Sequence, residues 1–149
     1  MNALILSVNE GHIVSLGPIR MIVKEDGTRT RGTLAIAEFE VAPRVPTPPL
    51  HVHHAHEEGF YVLDGELEFL VGMQQIHADK GAYVTVPLGV PHTFINTGSA
   101  PARFLTTFTP PRYLNYFFEL SELIARSGVP TPMQMRELMA RYETEVVGM

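Results

Sequence analysis

A chain of 149 residues, 45% of them hydrophobic, is long enough to close one buried core and too apolar to stay disordered. Its net charge of −5 argues against a nucleic-acid partner, which requires a basic stripe. With no cysteine, disulfides, thiolate metal sites and cysteine nucleophiles are excluded, and a reducing compartment fits.

Residues 3–8 are too few for a signal peptide and follow no basic residue. No segment approaches a membrane span, so the expected place is the cytoplasm, with no membrane partner. Residues 3–7, 13–16 and 19–24 are short apolar runs, and Glu25-Asp26-Gly27 is a turn. Residues 33–41 form a strand with two candidate inner faces: Leu34, Ile36, Glu38 and Glu40, or Ala35, Ala37, Phe39 and Val41. Residues 42–50 carry Pro43, Pro46, Pro48 and Pro49, so they are neither a central strand nor a helix. They read as a stiff extended connection into His51.

Residues 60–63, 67–71, the neighbours of Ile76, 83–86, 92–95 and 103–109 continue the strand series. Turns fall at Asp64-Gly65, Gly72, Lys80-Gly81, Leu88-Gly89 and Gly98. Short strands so spaced predict an antiparallel sandwich or barrel. After Pro110-Pro111 the period changes. Tyr113, Phe117, Leu120 and Ile124 recur at helical spacing, widened by Tyr116 and Leu123, up to Gly128 and Pro130. Thr131-Pro132-Met133-Gln134 is a capping box opening a second helix, with Met135, Leu138, Met139 and Tyr142 on its apolar face. The expected organisation is therefore a β-barrel over residues 1–110. Residues 111–149 follow as a helical extension packed on it within the same domain.

Two blocks carry the chemistry. The first is His51-Val52-His53, then Glu58, then Gly65; the second is Gly81, Pro87-Leu88-Gly89, His92 and Asn96. Alternate residues of a strand share a face, so His51 and His53 can point together into a barrel. Glu58 opens the next strand, and His92 comes from a strand distant in sequence. Imidazole suits Zn, Cu, Fe and Ni, and the carboxylate adds a harder, charged ligand. Four such ligands on an octahedral ion leave two adjacent positions for water, substrate or dioxygen. A closed tetrahedral structural site is the competing use, though structural zinc usually takes cysteine. Gly65 and Gly89 stand where tight turns call for positive φ. Glu57 competes with Glu58, and the spacing to Gly65 favours Glu58. His54 and His56 flank the set as turn residues; either is placed to sit behind the ligands or to replace Glu58. His77 is expected at the surface, and Asn96 is expected to be structural. Phe60, Val62, Phe94 and Phe104 have the parity of the barrel interior and are candidates to line an apolar pocket.

These blocks resemble the two signature motifs of the cupin superfamily. Pro48-Pro49-Leu50-His51-Val52-His53 with Glu58-Gly59-Phe60-Tyr61-Val62-Leu63-Asp64-Gly65-Glu66 is similar to the small single-domain, quercetin-dioxygenase-like cupins, and Val86-Pro87-Leu88-Gly89-Val90-Pro91-His92-Thr93-Phe94-Ile95-Asn96 continues the likeness. The resemblance runs from about Arg20 to Tyr116-Phe117. It implies an all-β jelly-roll barrel (a double-stranded β-helix), a metal at its mouth, and commonly a homodimer. Carried over by position, the metal ligands are His51, His53, Glu58 and His92, holding one divalent ion per chain: Fe, Mn, Ni, Cu or Zn. One departure is visible: the first motif usually opens with Gly where this chain has Val45. The resemblance also suggests Glu58 as a catalytic base.

The leading expectation is a metal-dependent dioxygenase acting on a small phenolic or diketone-like substrate. The second is a non-redox isomerase or lyase with the metal as Lewis acid. The third is a small-molecule-binding module without catalysis. Arg20, Arg29, Arg31, Arg103 and Arg112 are the candidates for an anionic group. The strands before Gly27 are candidates for covering a sheet edge with a second subunit.

Overall fold

A computed structural model describes residues 2–148. The strands are β1 (His12–Leu16), β2 (Ile19–Glu25), β3 (Ala35–Val41), β4 (His51–His53), β5 (Glu57–Asp64), β6 (Glu66–Val71), β7 (Gln74–Asp79), β8 (Tyr83–Val86), β9 (His92–Ile95) and β10 (Ala102–Thr109). A 3₁₀ turn (Pro111–Tyr113) leads to helices α1 (Leu114–Ser127) and α2 (Pro132–Ala140), and the chain returns as β11 (Thr144–Val146). All pairings are antiparallel. One sheet runs β1-β2-β3-β10-β5-β8 and the other β11-β4-β9-β6-β7, the expected jelly roll. No described helix is long and apolar enough to cross a membrane.

Alternation sets the core. On β3 the inward face is Ala35, Ala37, Phe39 and Val41, which settles the two candidate faces. That parity stacks Phe39 on Phe104 at 5.2 Å between ring centroids. It also sends Glu38 outward to meet Arg103. Phe60, Phe69, Phe94 and Phe104 form an aromatic cluster between the sheets, with centroids 5.2–6.2 Å apart.

One expectation fails, and two are refined. Residues 3–7 form no strand, and Leu4, Ile5 and Val8 are exposed; β1 is instead the edge strand of the six-stranded sheet. The extension after residue 110 is not wholly helical. Its helices form as expected, with Gly128 ending α1 and the Thr131–Gln134 capping box opening α2. Beyond them, however, β11 joins β4 in the second sheet. The Val45 departure is absorbed one residue earlier: Arg44 takes the left-handed conformation, φ 58°, and its N–H donates to the Asn96 carbonyl at 2.9 Å.

Candidate metal centre

The site lies at one end of the sandwich and draws on both sheets. His51 and His92 sit directly opposite each other on β4 and β9. His53 follows two residues later on the same face of β4. Glu58 reaches in from β5 of the other sheet, paired to Val86 and Phe108. The two sequence blocks are also tied together directly: Gly89, at φ 78°, donates its N–H to the His53 carbonyl at 2.9 Å. Gly65, at φ 73°, makes the β5–β6 turn, and a side chain there would meet the Pro101 carbonyl oxygen at 2.9 Å.

All four expected ligands are buried; ligand atoms of His51, His53 and His92 lie within 4.8 Å of one another, as do those of His53, His56 and Glu58. The ring centroids of His51, His53 and His92 are 4.3–4.8 Å apart. Each ring is fixed from behind through Nδ1. His51 Nδ1–H donates to the Pro49 carbonyl at 2.7 Å and His92 Nδ1–H to the Val90 carbonyl at 3.1 Å. His53 Nδ1 lies 2.8 Å from Thr144 Oγ1, whose own hydrogen goes to the Tyr142 carbonyl. The threonine oxygen is therefore the acceptor. With all three protons on Nδ1, all three Nε2 lone pairs are free.

That placement creates a conflict that an ion resolves. His53 Nε2 is 3.1 Å from Glu58 Oε1, and His92 Nε2 is 3.3 Å from Glu58 Oε2. Neither nitrogen makes a directed hydrogen bond, so acceptors face acceptors in a buried space. Ligand atoms about 2.1 Å from a common ion are themselves separated by about 3.0–3.4 Å at right-angle or tetrahedral geometry, the spacing of these two pairs. The donor set therefore fits a transition ion.

Electrostatics point the same way. Burial, reinforced by His92 and His53, pushes the His51 imidazole down to about 3. Burial also lowers His53, with Glu58 opposing. Burial alone would raise the Glu58 carboxyl, but any proton on His53 pulls it well below the usual range, and His56 Nε2 donates to its Oε1. The ionised carboxylate and neutral imidazoles are the forms that ligate a cation.

A pH dependence follows. Between pH 6.5 and about 3 the unfolded chain takes up a proton that folded His51 refuses, so stability falls as pH falls. Metal-free protein at about pH 5 is expected to be on the order of 2 kcal/mol less stable than at neutrality from His51 alone. Urea midpoints in chelator measure this, and a flat or rising profile on acidification would contradict it.

The other site candidates separate cleanly. Glu57 is exposed and Glu58 buried, as the spacing indicated. His54 is exposed, and His77 is surface-bound between Glu66 and Glu68. Asn96 is structural: its amide donates to the carbonyls of Val41 and Ala100 and its oxygen accepts from Gly98. His56 is not a solvent-facing turn residue. It is buried, its ring 4.0 Å from that of His53 and 4.3 Å from that of Tyr113, with Nε2 3.3 Å from Glu58 Oε1. Its cover, Tyr113, arrives from far along the chain. Thr144 was missed altogether; the short β-prone run Thr144-Glu145-Val146 was the available signal.

Beside the cluster lies a cavity of about 290 Å³, lined by His51, Glu58 and His92 at one end. Phe60, Phe94 and Phe104 line it as expected. Val62 does not; it is fully buried on β5, sealed among core side chains. Tyr116, Phe117, Leu120 and Met139 supply a wall, so the extension encloses the cavity rather than merely bracing the barrel.

A family model for the cupin domain matches residues 37–108. Residues 37–108 are a cupin domain, and the chain has the cupin fold. This cupin is 28% identical over 108 residues to the HTH-type transcriptional regulator PuuR of Escherichia coli, covering 71% of this chain and 57% of the regulator. It is 41% identical over 46 residues to quercetin 2,3-dioxygenase of Bacillus subtilis, covering 31% of this chain and 14% of that one. The cupin thus spans little more than half of the regulator and a small part of the dioxygenase. In structure it is similar to a predicted oxalate decarboxylase from Thermotoga maritima, with TM-score 0.64, 20% identity, and coverage of 72% of this chain and 99% of that one. That likeness is one of fold.

Proposed function

We propose that this cupin is a metal-dependent dioxygenase of a small phenolic or diketone-like molecule, with the ion held by His51, His53, Glu58 and His92. The observation that carries the reading is the meeting of free imidazole nitrogens and a carboxylate at the inner end of an apolar cavity. A bound transition ion would polarise substrate oxygens and, if redox-active, open a route to dioxygen. The chain's own residues do the rest. The Nδ1 hydrogen bonds to Pro49, Thr144 and Val90 hold the three imidazoles in one tautomer. Glu58 is ionised and lines the cavity, so it is placed to take a proton from an entering enol or phenol. His56, 3.3 Å from Oε1, donates to the carboxylate and fixes its orientation. The aromatic walls exclude water from the reacting end.

A second reading, a cupin that binds a small molecule without turning it over, is supported by the longer alignment with the regulator than with the dioxygenase. Oxygen-electrode screens of metal-loaded protein against phenols and diketones separate the readings. Oxygen uptake matching substrate loss supports the dioxygenase. Turnover that persists without oxygen moves the assignment to a Lewis-acid isomerase or lyase, and tight binding without turnover moves it to the binding module.

A further inference from the structure

Three buried side-chain polar atoms among the described residues have no hydrogen-bond partner: His53 Nε2, His92 Nε2 and Thr106 Oγ1. The first two face Glu58. Thr106 is a different case. It stands in the middle of β10 on the inward face, between Phe104 and Phe108, paired across the sheet with Phe60 on β5 and Ala37 on β3. It is 1% exposed and lines the same cavity as His51, Glu58 and His92. Valine would fill this position equally well and strand no hydroxyl. The other buried threonine, Thr144, has both hydroxyl bonds made. An unmet hydroxyl in an aromatic surround is unfavourable, and a bound molecule that supplies the partner removes the penalty.

The charge of the cavity narrows what that molecule is. No lysine or arginine lines it, and Glu58 is the one formally charged side chain that does. Parity turns Arg103 outward onto Glu38 at 2.6 Å, and Arg112 is bonded to Glu143. A phosphate or a second carboxylate on the ligand would lose its hydration with no cation to meet it.

We infer that Thr106 is a specificity-determining residue whose hydroxyl hydrogen-bonds an oxygen of an uncharged, largely apolar substrate, the other end of which faces the histidine–glutamate cluster. The inference rests on the metal-centre reading for that other end only; the threonine contact is independent of it.

The test uses the zinc-loaded 149-residue chain, which consumes no oxygen, with 1-phenylbutane-1,3-dione as the uncharged probe and phenyl phosphate as its anionic counterpart. Wild type, Thr106→Val and Thr106→Ser are compared by calorimetric titration, with zinc content and melting temperature measured on each. The expected result is that Thr106→Val binds the diketone about five- to tenfold more weakly, with zinc content unchanged and melting temperature unchanged or raised, whereas Thr106→Ser binds as wild type. Phenyl phosphate is expected to bind at least about tenfold more weakly than the diketone to wild type. Equal affinity of Thr106→Val and wild type for the diketone would overturn the inference, as would preference for phenyl phosphate or failure of wild type to bind either probe. Wild type that takes up no zinc would overturn the metal reading instead. The affinity ratio on that metal-free protein would still decide the role of Thr106.

Discussion

Ending the chain after Arg141 is expected to weaken metal binding by about 100-fold or more and to lower the melting temperature by about 10 °C. The lost residues carry β11, whose Thr144, Glu145 and Val146 pair with His53, Val52 and His51. Without them β4 keeps one strand neighbour, β9, with the single register pair His51↔His92. Two flanking bonds, His54 N–H to the Glu143 carbonyl and Val147 N–H to the Leu50 carbonyl, are lost as well. Thr144 is the acceptor that orients His53, and losing such a partner alone costs about 10–100-fold in affinity. Thr144→Val isolates that share while leaving the strand in place. Chelator competition and calorimetry on both variants measure the effect. A truncated protein that folds and keeps wild-type affinity would show that the extension is dispensable to the site.

Glu58→Gln is expected to act in opposite directions on the metal-loaded and metal-free protein. With the charge gone, metal affinity falls, and any turnover that uses the carboxylate as base falls about 10²- to 10⁴-fold. The metal-free protein behaves differently. Its Glu58 oxygens face the unpartnered Nε2 atoms of His53 and His92 at 3.1 and 3.3 Å. A glutamine amide can donate to one of those lone pairs, which exchanges a repulsion for a hydrogen bond. Melting in chelator is therefore expected to be unchanged or higher for Glu58→Gln, while melting with metal is lower. A large loss of stability without metal would mean that Glu58 is paired to a protonated histidine, and the site would then be a structural ion pair. Full turnover in Glu58→Gln would remove its role as base.

Much of the centre was legible because its logic is local. The two-residue spacing of His51 and His53 on a strand, the choice of Glu58 over Glu57, and the turn glycines at 65 and 89 all follow from parity and φ. The capping box at Thr131 is equally local. What escaped depends on contacts between distant segments. His56 reads as a turn residue until Tyr113 covers it. β11 is three residues long and forms only because β4 offers an edge. Val62 shares parity with Phe60, yet parity does not tell which interior residues border a void and which are sealed. The left-handed turn at Arg44 replaces a glycine the motif usually supplies, and nothing in Val45 announces the shift by one residue.

The central claim is that this cupin holds a transition ion at His51, His53, Glu58 and His92. Metal content by mass spectrometry tests it most directly, on untagged protein purified without chelators beside a His51→Ala/His92→Ala double variant. Near-stoichiometric iron, manganese, nickel, copper or zinc in the wild type, absent from the double variant, is the predicted result. No metal in the wild type after reconstitution, or full occupancy retained in the double variant, would contradict it.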